Sequence, residues 1–167
     1  AMNDMATPSV SLEAKHLWLV QSLPIPPWQV LQAKLSVQLL LTGIPALFCC
    51  VCVQFLCPAS PLERVLLVLV PMLYVLFSAL FGLFLGVKLP NLTWTNELAP
   101  IKQSASVMIA LLGGWAYGVA LAGLYLAFAW RLGLTLYLAL FALVTAVGCV
   151  VLYRWLKTRG AELFANL

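Results

Sequence analysis

Four long apolar runs alternate with short polar interruptions along this chain of 167 residues, and the alternation sets its architecture. Residues 35–56, 62–86, 105–129 and 133–153 each reach the roughly 20 apolar positions that an α-helix needs to cross a hydrocarbon core. None of these runs carries an Asp, Glu, Lys or Arg near its centre. Upstream, residues 9–23 show helical spacing. Leu12, Leu19 and Leu23 form a stripe widened by Trp18 and Val20, while Glu13, Lys15, His16 and Gln21 supply the polar positions. Ser9 or Ser11 can cap the start of that helix, and its Trp suits a membrane surface. Pro24, Pro26 and Pro27 end it, because a residue preceding proline avoids the α region. Pro27 is then suited to the first turn of the next helix.

The predicted fold is therefore an all-α integral membrane protein, with an N-terminal amphipathic interfacial helix and Pro-rich turn over residues 9–27. A four-helix transmembrane domain follows over 28–160, and a cytoplasmic tail over 161–167. Residues 1–8 read as a disordered tail, with Ala1 before Met2 a cloning remnant. No signal peptide is expected, since the first apolar stretch is short and carries Glu13, Lys15 and His16.

The polar positions refine this picture. Gln29, Gln32 and Ser36 share one face of the first span, and Lys34 sits where its stem can snorkel. Pro45 and Pro71 predict kinks that neighbouring helices must accommodate. Residues 57–61 and 131–133 read as tight turns. Ser78, Gly82 and Gly86 stand four apart on the second span, and Ala110, Gly114, Gly118 and Ala122 repeat that spacing on the third. Such stripes let helices approach closely, so the second and third spans are expected to pack against each other or against another subunit. On the fourth span only Thr135, Thr145 and Gly148 break the apolar run. The longest polar interruption, residues 88–104, divides the spans into two pairs. Two prolines, Trp94 and only three charges make it a shaped loop.

Composition agrees with the pattern: 64% of residues are hydrophobic and 8% charged, against roughly 25% charged in ordinary globular proteins. The net charge of +4 bears on orientation and on anionic headgroups. No basic patch with interleaved aromatics is present, so nucleic acid is not an expected partner. Seven of the nine Lys and Arg residues flank one side of a four-span topology: Lys15, Lys34, Lys88, Lys102, Arg154, Lys157 and Arg159. Arg64 and Arg131 flank the other. That bias predicts a multi-pass protein of the cell inner (plasma) membrane, with both termini and the 88–104 loop in the cytoplasm. The glycosylation pattern at Asn91-x-Thr93 is then a chance match.

Candidate chemistry is sparse. Cys49-x-x-Cys52 has the spacing of a redox or metal motif, but no second pair and no nearby His accompany it, so packing is the expected role for the cysteines. His16 stands alone. No phosphate-binding loop, HExxH, GxSxG or carboxylate pair occurs, and no catalytic residue, metal site or cofactor is expected. Intramembrane charges usually mark ion-coupled transport. Without them, any transport must draw its energy from outside the chain, and the chain itself is not expected to be an enzyme.

Two stretches carry a family resemblance. The first, residues 11–25, reads Ser-Leu-Glu-Ala-Lys-His-Leu-Trp-Leu-Val-Gln-Ser-Leu-Pro-Ile. The second is Leu-Pro-Asn-Leu-Thr-Trp-Thr-Asn-Glu over 89–97, continuing into Lys-Gln-Ser-Ala-Ser over 102–106. They resemble the ATP-binding-cassette exporter permeases of Gram-positive bacteria, in the broad type-2 exporter class. That family's pattern has Glu-Gly-Lys and Ser-Leu-Pro, then Pro-x-Leu-x-Trp-x-Asn-Glu and Lys-Gln-Ser. Ala14 departs from the usual glycine, and the fourth span matches only in being hydrophobic. Family members are considerably longer, so the chain resembles the C-terminal membrane portion of a permease, or a short relative.

The resemblance implies a membrane-spanning permease subunit of an ATP-driven exporter, powered by a separate ATP-hydrolysing subunit. Glu13, Lys15, Trp94, Asn96, Glu97 and Lys102 would shape its partner-coupling surface, with the amphipathic helix as an elbow on the inner leaflet. A homo-oligomer, or a missing N-terminal permease half, would complete the pathway. The competing expectation is a non-transporting membrane scaffold or regulatory subunit that associates through its glycine stripes.

Overall fold

A computed structural model describes residues 6–12, 25–56, 60–90, 104–128 and 133–165. The elements are α1 (Ala6–Leu12), α2 (Pro27–Leu56), α3 (Pro61–Lys88), α4 (Ala105–Phe128), α5 (Leu134–Trp155), a π-helical turn (Leu156–Gly160) and α6 (Ala161–Ala165). No strand occurs among the described residues, and α2 to α5 are long and apolar enough to cross a membrane. The fold is an all-α membrane fold. The large apolar side chains left exposed, among them Phe48, Val119 and Val144 at 67–68%, are too many for a water-facing surface.

Local chemistry fixes the helix ends. α2 begins at Pro27, whose missing N–H is no loss in a first turn, and the Gln29 N–H bonds the Pro26 carbonyl at 2.9 Å. At the start of α3, the Ser60 hydroxyl accepts from the Glu63 N–H at 3.4 Å, and the Glu63 carboxylate accepts from the Ser60 N–H at 3.0 Å. This reciprocal capping box, with Pro61 behind it, starts the helix sharply. The Gln54 side-chain amide donates to the Arg64 carbonyl at 2.7 Å and ties the end of α2 to the start of α3. Lys88 closes α3, favourably placed at the negative end of the helix dipole, with its ammonium 5.4 Å above the Phe84 ring. Both α2 and α3 continue through internal prolines, Pro45 and Pro71.

Helix α3 is central. It packs against every other described helix, most extensively against α5, while α2 and α4 flank it and hardly meet each other. One apolar cluster gathers where α2 begins and α3 and α5 end, built on Val10, Leu31, Leu80, Leu83, Leu156 and Phe164. A second, around Leu66, Val70, Tyr137 and Ala142, closes the opposite end.

Three expectations need correction at the first of these ends. Ala6, Thr7 and Pro8 are not a disordered tail; they open α1 and are buried. The cause is Gly86, where a Cβ would lie 2.5 Å from the Thr7 carbonyl oxygen, so the α1 backbone rests directly on α3. Ser9 and Ser11 do not cap the helix start, because both lie inside α1, and the Ser9 hydroxyl donates back to the Ala6 carbonyl at 2.7 Å. The Lys34 ammonium reaches the Ser9 carbonyl at 3.3 Å and ties α2 to α1. The expected amphipathic helix beyond Leu12 lies outside the described residues. At the other terminus the expected tail is helical as far as Ala165. The π-helical turn carries the chain past Arg154, and Phe164 is only 2% exposed in the cluster.

Substituting Gly86 by Val should displace α1 and lower stability by about 1–3 kcal/mol, the usual penalty for overpacking. Gly118→Val, where a Cβ meets nothing within 4 Å, should leave the melting temperature in detergent nearly unchanged. Thermal unfolding followed by circular dichroism checks the pair.

Candidate functional site

One face of α3 presents Tyr74, Phe77, Phe81 and Phe84, spaced three or four residues apart. Their rings form a continuous spine. Tyr74 stacks on Tyr117 of α4 at 4.6 Å between centroids, Phe77 lies 6.0 Å from Phe81, Phe81 lies 6.3 Å from Phe84, and Phe84 meets the edge of Trp155 at 4.6 Å. The facing helices make room with glycine. A Cβ on Gly113 would fall 2.8 Å from Phe81, one on Gly114 3.1 Å from the Tyr74 hydroxyl, and one on Gly148 of α5 3.2 Å from Phe77. Small residues at an interface let helices pack closely, and here each glycine receives an aromatic ring rather than another small residue.

The small-residue stripes are thus divided in use. Gly82 and Gly86 are buried, Gly86 beneath α1, and Ser78 is half-buried and donates to the Val75 carbonyl of its own helix at 2.9 Å. Ala110 and Gly114 are half-buried beside α3, whereas Gly118 and Ala122 are exposed. Glu13, Lys15, Trp94, Asn96, Glu97 and Lys102 lie outside the described residues.

Tyrosines bind α3, α4 and α5 together. The Tyr74 hydroxyl donates to the Gly114 carbonyl at 3.2 Å, and the Tyr137 hydroxyl to the Leu121 carbonyl at 2.6 Å. Thr145 donates to the Phe141 carbonyl at 2.8 Å, which leaves its oxygen to accept from Tyr117 at 2.7 Å. Thr145 is buried and Cys149 close by sits 3.8 Å from the Leu73 carbonyl.

Because α2 and α4 scarcely meet, an open cleft of ≈ 820 Å³ lies between them with α3 as its floor. Gln38, Thr42, Pro45 and Cys49 form the α2 wall; Pro71, Tyr74, Phe77, Ser78 and Phe81 form the floor; Gly114, Trp115, Tyr117 and Gly118 form the α4 wall. Among the described residues, no Asp, Glu, Lys, Arg or His lines it. The small residues of this region stand out in the sequence, and the aromatic ones do not. Their three-and-four spacing on α3 was the available signal, but in so apolar a run it does not stand out from lipid-facing positions.

No family profile, curated protein or solved structure matches the chain. Fold and site together define a class: a multi-pass α-helical membrane protein with a cleft among its spans whose described lining carries no charge.

The Tyr117–Thr145 bond should contribute modestly, because unfolded helices in a membrane also find polar partners. A double-mutant cycle with Tyr117→Phe and Thr145→Val should give a coupling of about 0.6 kcal/mol and no more than about 1.7 kcal/mol, read from unfolding in detergent.

Proposed function

We propose that the chain is the membrane-spanning permease part of an ATP-driven exporter in the plasma membrane of a bacterium, with a separate subunit hydrolysing ATP. The observation that carries this reading is the cleft of ≈ 820 Å³ set among three spans and flanked by Pro45 and Pro71. A proline within a span leaves the carbonyl four residues earlier without its N–H donor, which makes these helices the natural places for movement around the cleft. The absence of charged groups from the described residues of the cleft walls fits a pathway that is not coupled to an ion. Energy then arrives at the cytoplasmic surface. The resemblance of residues 11–25 and 89–106 to exporter permeases supports placing the coupling there, on Glu13, Lys15, Trp94, Asn96, Glu97 and Lys102. Orientation follows from the charge bias of seven cations against two. A scaffold or regulatory subunit is the second reading, supported by Gly118 and Gly123 of α4, whose Cβ positions meet nothing within 4 Å and so leave room for another helix.

Two experiments decide between these. Affinity purification of the native chain in mild detergent should bring down an ATP-hydrolysing subunit, and exchanging the charges of Glu97 and Lys102 by Glu97→Lys and Lys102→Glu separately should weaken that association. A homo-oligomer without ATPase activity favours the scaffold. For orientation, Ser60→Cys in a background with the native cysteines replaced should react with an impermeant maleimide in intact cells. Lys157→Cys should react only after lysis; the reverse pattern overturns the proposed topology.

A further inference from the structure

We infer that the cleft between α2, α3 and α4 binds lipophilic cations, apolar bodies carrying a delocalised or amine-borne positive charge, and rejects anions of the same size. As a statement about the exported substrate class this rests on the exporter reading, but binding by the chain alone does not require it.

The argument comes from what the walls can offer. Tyr74, Phe77, Phe81, Trp115 and Tyr117 turn the cleft into an aromatic chamber, and the negative face of an aromatic ring attracts a cation most strongly where water is excluded. The hydroxyls have already spent their protons. Thr42 donates to the Gln38 carbonyl at 2.7 Å, Ser78 to Val75, Tyr74 to Gly114 and Tyr117 to Thr145. A hydroxyl whose proton is committed retains only lone pairs, so these four groups can accept from a ligand but have no proton left to donate to it. Pro45 adds a further acceptor, since the carbonyl of Leu41, itself on the wall, loses its N–H partner within the helix. Among the described lining side chains, the neutral N–H groups belong to Trp115 and to Gln38, which is buried and makes a further interaction within the protein.

An anion entering here would lose its hydration and meet no Lys, Arg or His among the described lining residues, a heavy penalty in a low-dielectric site. A cation with its charge spread over an apolar body keeps a small desolvation cost and gains contact with the aromatic surface that lines the cleft. An acyl chain or a helix of a second copy would gain nothing from the acceptor pattern.

Equilibrium dialysis of the purified chain in uncharged phosphatidylcholine nanodiscs tests this with two ions of matched shape, tetraphenylphosphonium and tetraphenylborate. Binding is read as the difference between the wild type and Gly118→Trp, which fills the cleft from a position with open space and cancels partitioning into lipid. Tetraphenylphosphonium should bind saturably and lose at least about tenfold in affinity in the variant, as expected for loss of desolvated cation–π contact. Tetraphenylborate should show no such difference. Equal losses for both ions, or phosphonium binding indifferent to Gly118→Trp, overturn the inference. Should Gly118→Trp fail to fold, quenching of Trp115 by phosphonium in the unaltered cleft, measured against Trp115→Phe, gives the same decision. Absence of phosphonium binding leaves association with an ATPase untouched, and loss of the ATPase leaves phosphonium binding untouched, so the two proposals fail separately.

Discussion

The seating of the α3 aromatic ridge in glycine gaps on α4 and α5 holds this bundle together. Between membrane helices there is no hydrophobic gain from burial, because lipid is as apolar as the side chains. Association depends on close packing and hydrogen bonds. Phe81 over Gly113, Tyr74 over Gly114 and Phe77 over Gly148 supply the packing, and Tyr74 and Tyr117 supply the hydrogen bonds. Since all of these contacts involve α3 or its immediate neighbours, α2 and α4 are positioned by α3 and hardly by each other. The cleft is the consequence.

The same scarcity of polar groups governs what the cleft can do. In hydrocarbon an unpaired polar group is costly, so Thr42, Ser78 and Thr145 turn their protons back onto carbonyls of their own helices. What the Thr42 and Ser78 hydroxyls still offer the cleft is oxygen lone pairs, set beside aromatic surface. At the end of the bundle where Lys34, Lys88, Arg154, Lys157 and Arg159 lie, α1 and α6 fold onto the bundle, joining Val10 and Phe164 to the cluster around Leu31, Leu80 and Leu83. That end is the better packed, and it is where the proposed coupling surface would receive motion.

Much of the fold was legible in the sequence, since uninterrupted apolar length is the strongest signal a membrane protein carries and α2 to α5 follow it closely. The ends were not. Ala6, Thr7 and Pro8 look like a polar-flanked tail until Gly86, far along the sequence, offers a place for the α1 backbone to rest. Phe164 likewise looks like part of a short tail, although Leu156, Gly160 and Phe164 recur every fourth residue as one helical face. The glycine stripes were visible, but their partners were not: a spacing of four says that a face is smooth, and it does not say whether a glycine or a phenylalanine lies against it. Gly113 and Gly148, off the expected stripes, carry contacts as close as Gly114 does.

The arrangement around α3 can be tested by pairwise disulfide formation in a background free of native cysteines. Phe81→Cys with Gly113→Cys, where the Phe81 ring edge rests on α4, should form a disulfide with a mild oxidant in membranes. Thr42→Cys with Gly114→Cys, on opposite walls of the cleft, should form none and yield only to a long bifunctional reagent. Rapid disulfide formation across the walls, or none between α3 and α4, would contradict an α3-centred bundle with an open cleft.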